Sequence, residues 1–254
     1  MTTSELKEFL DAKADQYEHP KFLQHDPLQV PHRFSKKEDI EISAFLTATI
    51  AWGNRKSIVN NALSMMELMD NAPFDFILHH QQQDLNRFAH FVHRTFNADD
   101  LRYFIQALRN IYLVHGGLEK VFSTHQAPSS LQSAISALKR IFFELPHLPR
   151  TKKHVSDPNS GSAAKRINMF LRWMVRPADK GVDFNLWPSL STAQLSCPLD
   201  VHSGNVARKL KLLLRKQNDA KALAELDHSL RKLDPNDPVK YDFALFGLGV
   251  FERF

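Results

Sequence analysis

Cys197-Pro-Leu-Asp-Val-His-Ser-Gly-Asn-Val-Ala-Arg-Lys-Leu210 is the stretch on which the reading of this chain turns. Asp200 follows a proline and a leucine and opens a basic run with helical spacing. An aspartate so placed is a helix N-cap, its carboxylate accepting hydrogen bonds from the exposed first-turn amides. The helix is expected to run to about Asn218, with Val206, Leu210, Leu213 and Leu214 as its apolar stripe and Arg208, Lys209 and Lys211 on other faces. Amides around Ser203 and Gly204 are placed to touch a phosphate, because a helix N terminus is electropositive and glycine permits close approach.

Thirty-five residues before Asp200 stands Lys165, near the start of Ala163-Ala-Lys-Arg-Ile-Asn-Met-Phe-Leu-Arg-Trp-Met-Val-Arg176. Ile167, Phe170, Leu171 and Met174 fall on one side of that helix, and Lys165, Asn168 and Arg172 on the other. A lysine amine and a carboxylate brought together by two helices form a candidate catalytic pair. An amine attacks only through its unprotonated lone pair, which burial or cationic neighbours such as Arg166 and Arg172 favour.

Composition sets the frame. With 254 residues, 43% apolar and 24% charged, the chain has the make-up of a soluble protein with a sizeable core. Its single cysteine, Cys197, excludes an internal disulfide framework, a cysteine-rich zinc site and a four-cysteine cluster. No apolar run reaches membrane-spanning length and the N terminus lacks a signal-peptide core, so a cytoplasmic protein with no membrane contact is expected. Between Arg150 and Asn218 thirteen Lys and Arg face four Asp, a net +9 against +5 for the whole chain. Such a concentration suits a face that meets phosphates, although a solvated basic surface gives the same count.

Along the chain, His25-Asp-Pro-Leu-Gln-Val-Pro-His-Arg-Phe34 reads as an extended connector. Ser35 and Glu38 offer a capping box to a helix through Trp52. Gly53-Asn54 breaks it, and Arg55-Lys56 leads into another helix through Met69. Pro73 starts a short helix, and Asn97 caps the run Ala98–Val114. Leu118–Phe122 and Leu131–Phe143 are expected helices, and Arg150–Gly161 is polar turn chemistry. Pro177–Pro198 is irregular, Asp219 begins a helix through Leu233, and Asp237 is expected to cap Pro238–Phe246. With no β alternation and no internal repeat, the fold class is all-α: one helical unit, with lobes expected at about 35–150 and 151–254. Thirteen histidines are present, but His79-His80 and His90…His93 lack matched carboxylate or cysteine partners, so no metal site is expected.

Two resemblances sharpen this. Leu199-Asp-Val-His-Ser-Gly-Asn-Val-Ala-Arg-Lys-Leu210 resembles the Val-Asp-(Thr/Val)-His…Arg…(Arg/Lys)-Leu segment of helix-hairpin-helix DNA glycosylases, and Lys165-Arg-Ile-Asn-Met-Phe-Leu171 is similar to the run carrying the catalytic lysine in their bifunctional members. The 35-residue spacing is longer than in most of them and looks closer to that of the archaeal 8-oxoguanine glycosylases. Asp39–Asn61 resembles the first helix pair of that core, whose turn approaches the target base. The motif-bearing likeness covers about half the chain. The chain departs from the family in its hairpin: Asp157-Pro-Asn-Ser-Gly-Ser-Ala-Ala164 stands where Leu-Pro-Gly-Val-Gly is usual. The whole sequence also resembles a bacterial family of unknown function sharing Ala51-Trp-Gly-Asn-Arg55 and Asp237-Pro-Val-Lys-Tyr-Asp-Phe-Ala-Leu-Phe-Gly247.

The resemblance implies a glycosylase and abasic-site lyase acting on damaged or abasic duplex DNA in base excision repair, with Lys165 and Asp200 catalytic and no cofactor or obligate protein partner. The expected DNA-facing residues are Trp52, Asn54, Arg55, Arg166, Asn168, Arg172, His202, Ser203, Gly204, Asn205 and Arg208. Trp173 and Trp187 are expected in the core or cleft wall. Two other readings stay open on the residues themselves: a non-catalytic nucleic-acid-binding module in which Asp200 is only a cap, and a helical protein-interaction domain.

Overall fold

Eleven α-helices carry the fold, and the one sheet among the described residues is a two-stranded hairpin, so the all-α expectation holds. The computed structural model describes residues 2–254, the side chain of His25 excepted. α1 (Thr3–Tyr17) starts on a reciprocal cap between Thr2 and Glu5. The connector after it is three short 3-10 turns, each beginning at a proline (Pro20, Pro27 and Pro31), where the missing N–H costs nothing.

α2 (Lys37–Thr49) is the axis of the larger core. Every residue from Ile40 to Thr49 is buried, as in a helix enclosed on all sides. Around it lie α3 (Arg55–Leu68), α4 (Pro73–His79), the hairpin β1 (Val92–His93) with β2 (Phe96–Asn97), α5 (Ala98–Val114), α6 (Leu118–His125) and α7 (Gln132–Phe142). The Phe45 ring of α2 meets Phe170 edge-on at 5.5 Å between centroids, a packing aromatic rings prefer, and Phe142 in a tilted contact at 5.6 Å. Phe170 belongs to α8 (Lys165–Val175), whose Ile167, Phe170, Leu171 and Met174 are buried as expected. Trp173 and Trp187 are both fully enclosed, and the Trp187 Nε1 donates to the buried Glu41 carboxylate at 2.7 Å.

A second, smaller core joins α1 to α9 (Val201–Lys209), α10 (Ala220–Leu233) and α11 (Tyr241–Val250) through Leu10, Ala14, Val206, Leu226 and Leu245. α1 and α11 approach so closely that a Cβ on Gly247 would lie 2.1 Å from the Tyr17 ring, so only glycine fits there.

Between the two cores runs a buried seam of charge. The Arg176 guanidinium pairs with Glu18 at 2.5 Å, Asp183 at 2.8 Å and Asp237 at 2.9 Å. Arg172 meets Asp242 at 2.6 Å and Asp183 at 3.4 Å, and lies over the Phe243 ring. Four carboxylates and two guanidiniums thus tie α1, α8, the irregular 177–198 segment, the turn before α11 and α11 itself.

Several local expectations are corrected. Ser35 caps nothing: the cap position of α2 is Lys36, whose side chain has no acceptor, and no side chain caps that end. Asp237 does not cap Pro238–Lys240, because its carboxylate is drawn to Arg176. The helix after Asp200 ends at Lys209 rather than near Asn218; Lys211 takes a positive φ of 59°, and Leu214 is left exposed outside the expected stripe. Asn168 and Arg172 are buried rather than on an exposed face with Lys165.

Candidate active-site cleft

A cleft of about 550 Å³ opens where the two cores meet, and the N termini of α8 and α9 both border it. Lys165 is the first residue of α8. The chain reaches it through a compact turn: Asp157 accepts from the Asn159 amide and the Ser136 and Ser160 hydroxyls, Gly161 takes a positive φ, and Ala164 is itself left-handed. Carboxylate and hydroxyl groups hold this turn.

Asp200 caps α9 as its sequence position predicts. Its Oδ1 accepts from the Ser203 amide at 2.9 Å and the Ser203 hydroxyl at 3.2 Å, while the Asp200 amide donates back to Ser203 Oγ. The other oxygen, Oδ2, lies 3.1 Å from Lys165 Nζ. Burial alone would raise the Asp200 pKa, but the Lys165 charge and the Ser203 amide outweigh it and hold the carboxyl below the usual carboxylate range. Asp200 is therefore ionised at neutral pH. The pair is only part-buried, with a third of the Lys165 side chain open to the cleft.

Trp52 forms one wall. Arg166 stacks on its ring at 4.7 Å and donates to the carbonyls of Thr49, at the α2 C terminus, and His154. Burial lowers the Arg166 pKa to about 10, so it remains charged at neutral pH, and its donors are committed to backbone. It therefore positions Trp52 rather than reaching outward. Arg55 lies over the Phe246 ring at 5.1 Å and borders the cleft, as does His202.

Other expected contacts have different employment. Asn54 is exposed and caps α3 through the Ser57 amide. Asn168 receives Gln132 Nε2 and donates to the Ala163 carbonyl, and Arg172 belongs to the charged seam. Ser203 is consumed by the cap, and the Gly204 amide already donates to the Asp200 carbonyl. The Arg208 guanidinium braces the next loop through the carbonyls of Arg215 and Gln217 and the Asn218 side chain. Asn205 is exposed on α9.

The basic face is correspondingly smaller than its count. Of the thirteen cations, Arg166, Arg172 and Arg176 serve the interior, and Arg150, Lys180 and Arg215 are paired with Asp100, Asp15 and Asp219. Lys152, Lys153, Lys209, Lys211 and Lys216 remain exposed and, among the described residues, make no ion pair.

Among the lining residues that sequence reading did not single out are Met169, Phe246, Asn218 and, above all, Asp26. Asn218 donates to the Asp200 carbonyl at 2.8 Å and steadies the cap from outside. Asp26 sits in the proline-rich connector, where no periodicity marks a functional acid; the Asp-Pro step signals only a turn.

Among the described residues no three of His, Cys, Asp and Glu gather as a metal-ligand set, and no helix is long and apolar enough to cross a membrane. No curated protein and no solved structure matches this chain. Residues 26–251 match a family described as a protein of unknown function, DUF2400. That span takes in Asp26, Trp52, Lys165, Asp200 and Phe246, so the cleft is a property of the matched region, and the chain belongs to the DUF2400 family.

Proposed function

We propose that this chain is a DNA glycosylase and abasic-site lyase of helix-hairpin-helix-like architecture, with the 157–164 turn in place of the usual hairpin. The observation that carries the reading is the 3.1 Å approach of Lys165 Nζ to Asp200 Oδ2 in an open cleft walled by Trp52 and Phe246. A purely structural cap needs no lysine, and a solvated lysine needs no cleft.

The chemistry follows from these groups. A damaged nucleotide leaves the stack at a cost on the order of a few kcal/mol and enters between the apolar walls. Lys165, charged in its pair with Asp200, first gives a proton to solvent, and the free amine then attacks the anomeric carbon; the glycosidic bond breaks and its electron pair leaves with the base. The ionised Asp200 stabilises the cationic sugar and accepts the proton shed by the lysine nitrogen. Ring opening gives an imine between Lys165 and the sugar, through which the 3′ phosphate is eliminated. The exposed lysines 152, 153, 209, 211 and 216 supply the salt-dependent part of DNA affinity.

The test is borohydride trapping on duplexes carrying an abasic site or 8-oxoguanine. A covalent complex that disappears in Lys165→Ala is the expected result. Salt-dependent binding with no trapped complex favours the binding-module reading, and absence of both ends the nucleic-acid reading.

A further inference from the structure

The cleft holds two carboxylates, and they are placed for opposite work. Asp200 has both oxygens occupied, one by the cap and the other by Lys165. Asp26, which also lines the cleft, uses Oδ1 to accept from the Leu28 amide at 3.0 Å, and its other oxygen has no hydrogen-bond partner among the described residues. Three cations act on it through space, namely Arg172, Arg55 and Lys165, and Asp26 lines the same cleft as Lys165 and Asp200.

We propose that Asp26 is the acid that protonates the departing base. The inference rests on the glycosylase reading above and assigns a proton donor within it. As Lys165 Nζ forms its bond to the anomeric carbon, the glycosidic C–N bond breaks and the electron pair goes to the base nitrogen. That nitrogen, or a conjugated acceptor atom of the base, takes the Asp26 proton, so the base leaves neutral and Asp26 is left as a carboxylate. The proton released by the lysine nitrogen passes separately to Asp200 and on to the ring oxygen as the sugar opens. Environment supports the split. Burial raises Asp26 against the pull of the Leu28 amide and the three cations, whereas Asp200 is held low. Two carboxyl groups in one site with affinities pushed apart are the arrangement that lets one donate while the other stays ionised.

The role also predicts what Asp26 does not do. An abasic site has already lost its base, so imine formation there needs no acid for a leaving base. Asp26→Asn separates the two steps, and its amide oxygen still accepts from Leu28, so the turn at Pro27 is kept. The experiment compares wild type and Asp26→Asn in two assays: borohydride trapping on an abasic duplex, and single-turnover excision from duplexes carrying 8-oxoguanine, hypoxanthine, thymine glycol or uracil. On the base that wild type removes fastest, the variant is expected to lose about 100-fold or more, the scale of general acid catalysis, while trapping stays within about threefold. Excision within a few-fold of wild type, or loss of excision and trapping together, overturns the assignment while leaving the lysine chemistry standing. A wild type that traps abasic DNA but removes none of the four bases also overturns it. A wild type that traps nothing fails at the parent reading, and this inference falls with it.

Discussion

The Asp200 carboxylate is divided between two tasks: Oδ1 closes the first turn of α9 on Ser203, and Oδ2 stands 3.1 Å from Lys165 Nζ. The cap fixes the carboxylate's direction, and that direction is toward the amine. A helix-starting acid is ordinarily explained by its cap alone; here the second oxygen is what requires a further account.

Removing the amine tests that account at little structural cost. Lys165 is one-third exposed, and pairs of that kind contribute less than about 1 kcal/mol. Lys165→Ala is therefore expected to unfold within about 1 kcal/mol of wild type in urea while abolishing the borohydride-trapped complex.

Asp200 separates cap from chemistry. Asp200→Asn keeps an oxygen for the Ser203 amide and is expected to fold normally yet lose base excision, because a neutral amide neither stabilises a cationic sugar nor accepts a proton. Asp200→Ala loses the cap as well and should cost about 1 kcal/mol more. The pH dependence has a definite sign. A carboxyl held below its unfolded value contributes stability that is present above that value, near 3.8, and lost as the pH falls through the folded one. The stability gap between wild type and Asp200→Asn should therefore close on acidification below about pH 4, as read by urea titration. A gap that widens there would show that the Lys165 and Ser203 interactions do not hold the carboxyl low.

The seam is expected to be the least tolerant part of the molecule. Arg176→Met leaves the buried Glu18 and the half-buried Asp237 without their cation and Asp183 with only Arg172, and breaking such a group costs about 3–5 kcal/mol. A midpoint loss of that size in chemical denaturation is predicted, with Glu18→Gln milder because Asp183 and Asp237 still hold the arginine. Equal losses in the two variants would mean that the Glu18 contact dominates the cluster.

The same seam explains which parts of the site were legible in sequence. Asp200 and Lys165 were readable because each sits at a helix start, where local chemistry and position coincide. The buried side of α8 was readable from the spacing of Ile167, Phe170, Leu171 and Met174. Asn168 and Arg172 were not: helical spacing assigns polar residues to the outside unless a partner is known, and their partners are Gln132 on α7, Asp183 in an irregular segment and Asp242 on α11. Asp237 was lost as a cap for the same reason, its carboxylate being claimed by Arg176 from 61 residues away. Local patterns recorded most of the elements and the starts of α8 and α9; the long-range charge pairing left no periodic trace.

Asp227 provides a measurement of burial itself. It lies on α10, buried, with Oδ1 accepting from the Cys197 amide at 3.0 Å and Oδ2 3.7 Å from the Arg231 guanidinium. Burial pushes its pKa up to about 6, above the opposing effects of the Cys197 amide and the Arg231 charge. Because the folded value exceeds the unfolded one, near 3.8, the folded state binds its proton more tightly, and stability is lost as the pH rises between the two. Above pH 6 the ionised carboxylate opposes folding by on the order of 3 kcal/mol, at about 1.4 kcal/mol per pKa unit. Asp227→Asn keeps an acceptor for Cys197 without the charge. It should be more stable than wild type at pH 7.5 by up to that amount, with the advantage shrinking toward zero near pH 4. A variant less stable than wild type at pH 7.5 would mean that Arg231 repays the carboxylate's desolvation in full, and that the buried pair, not the burial, governs this end of α10.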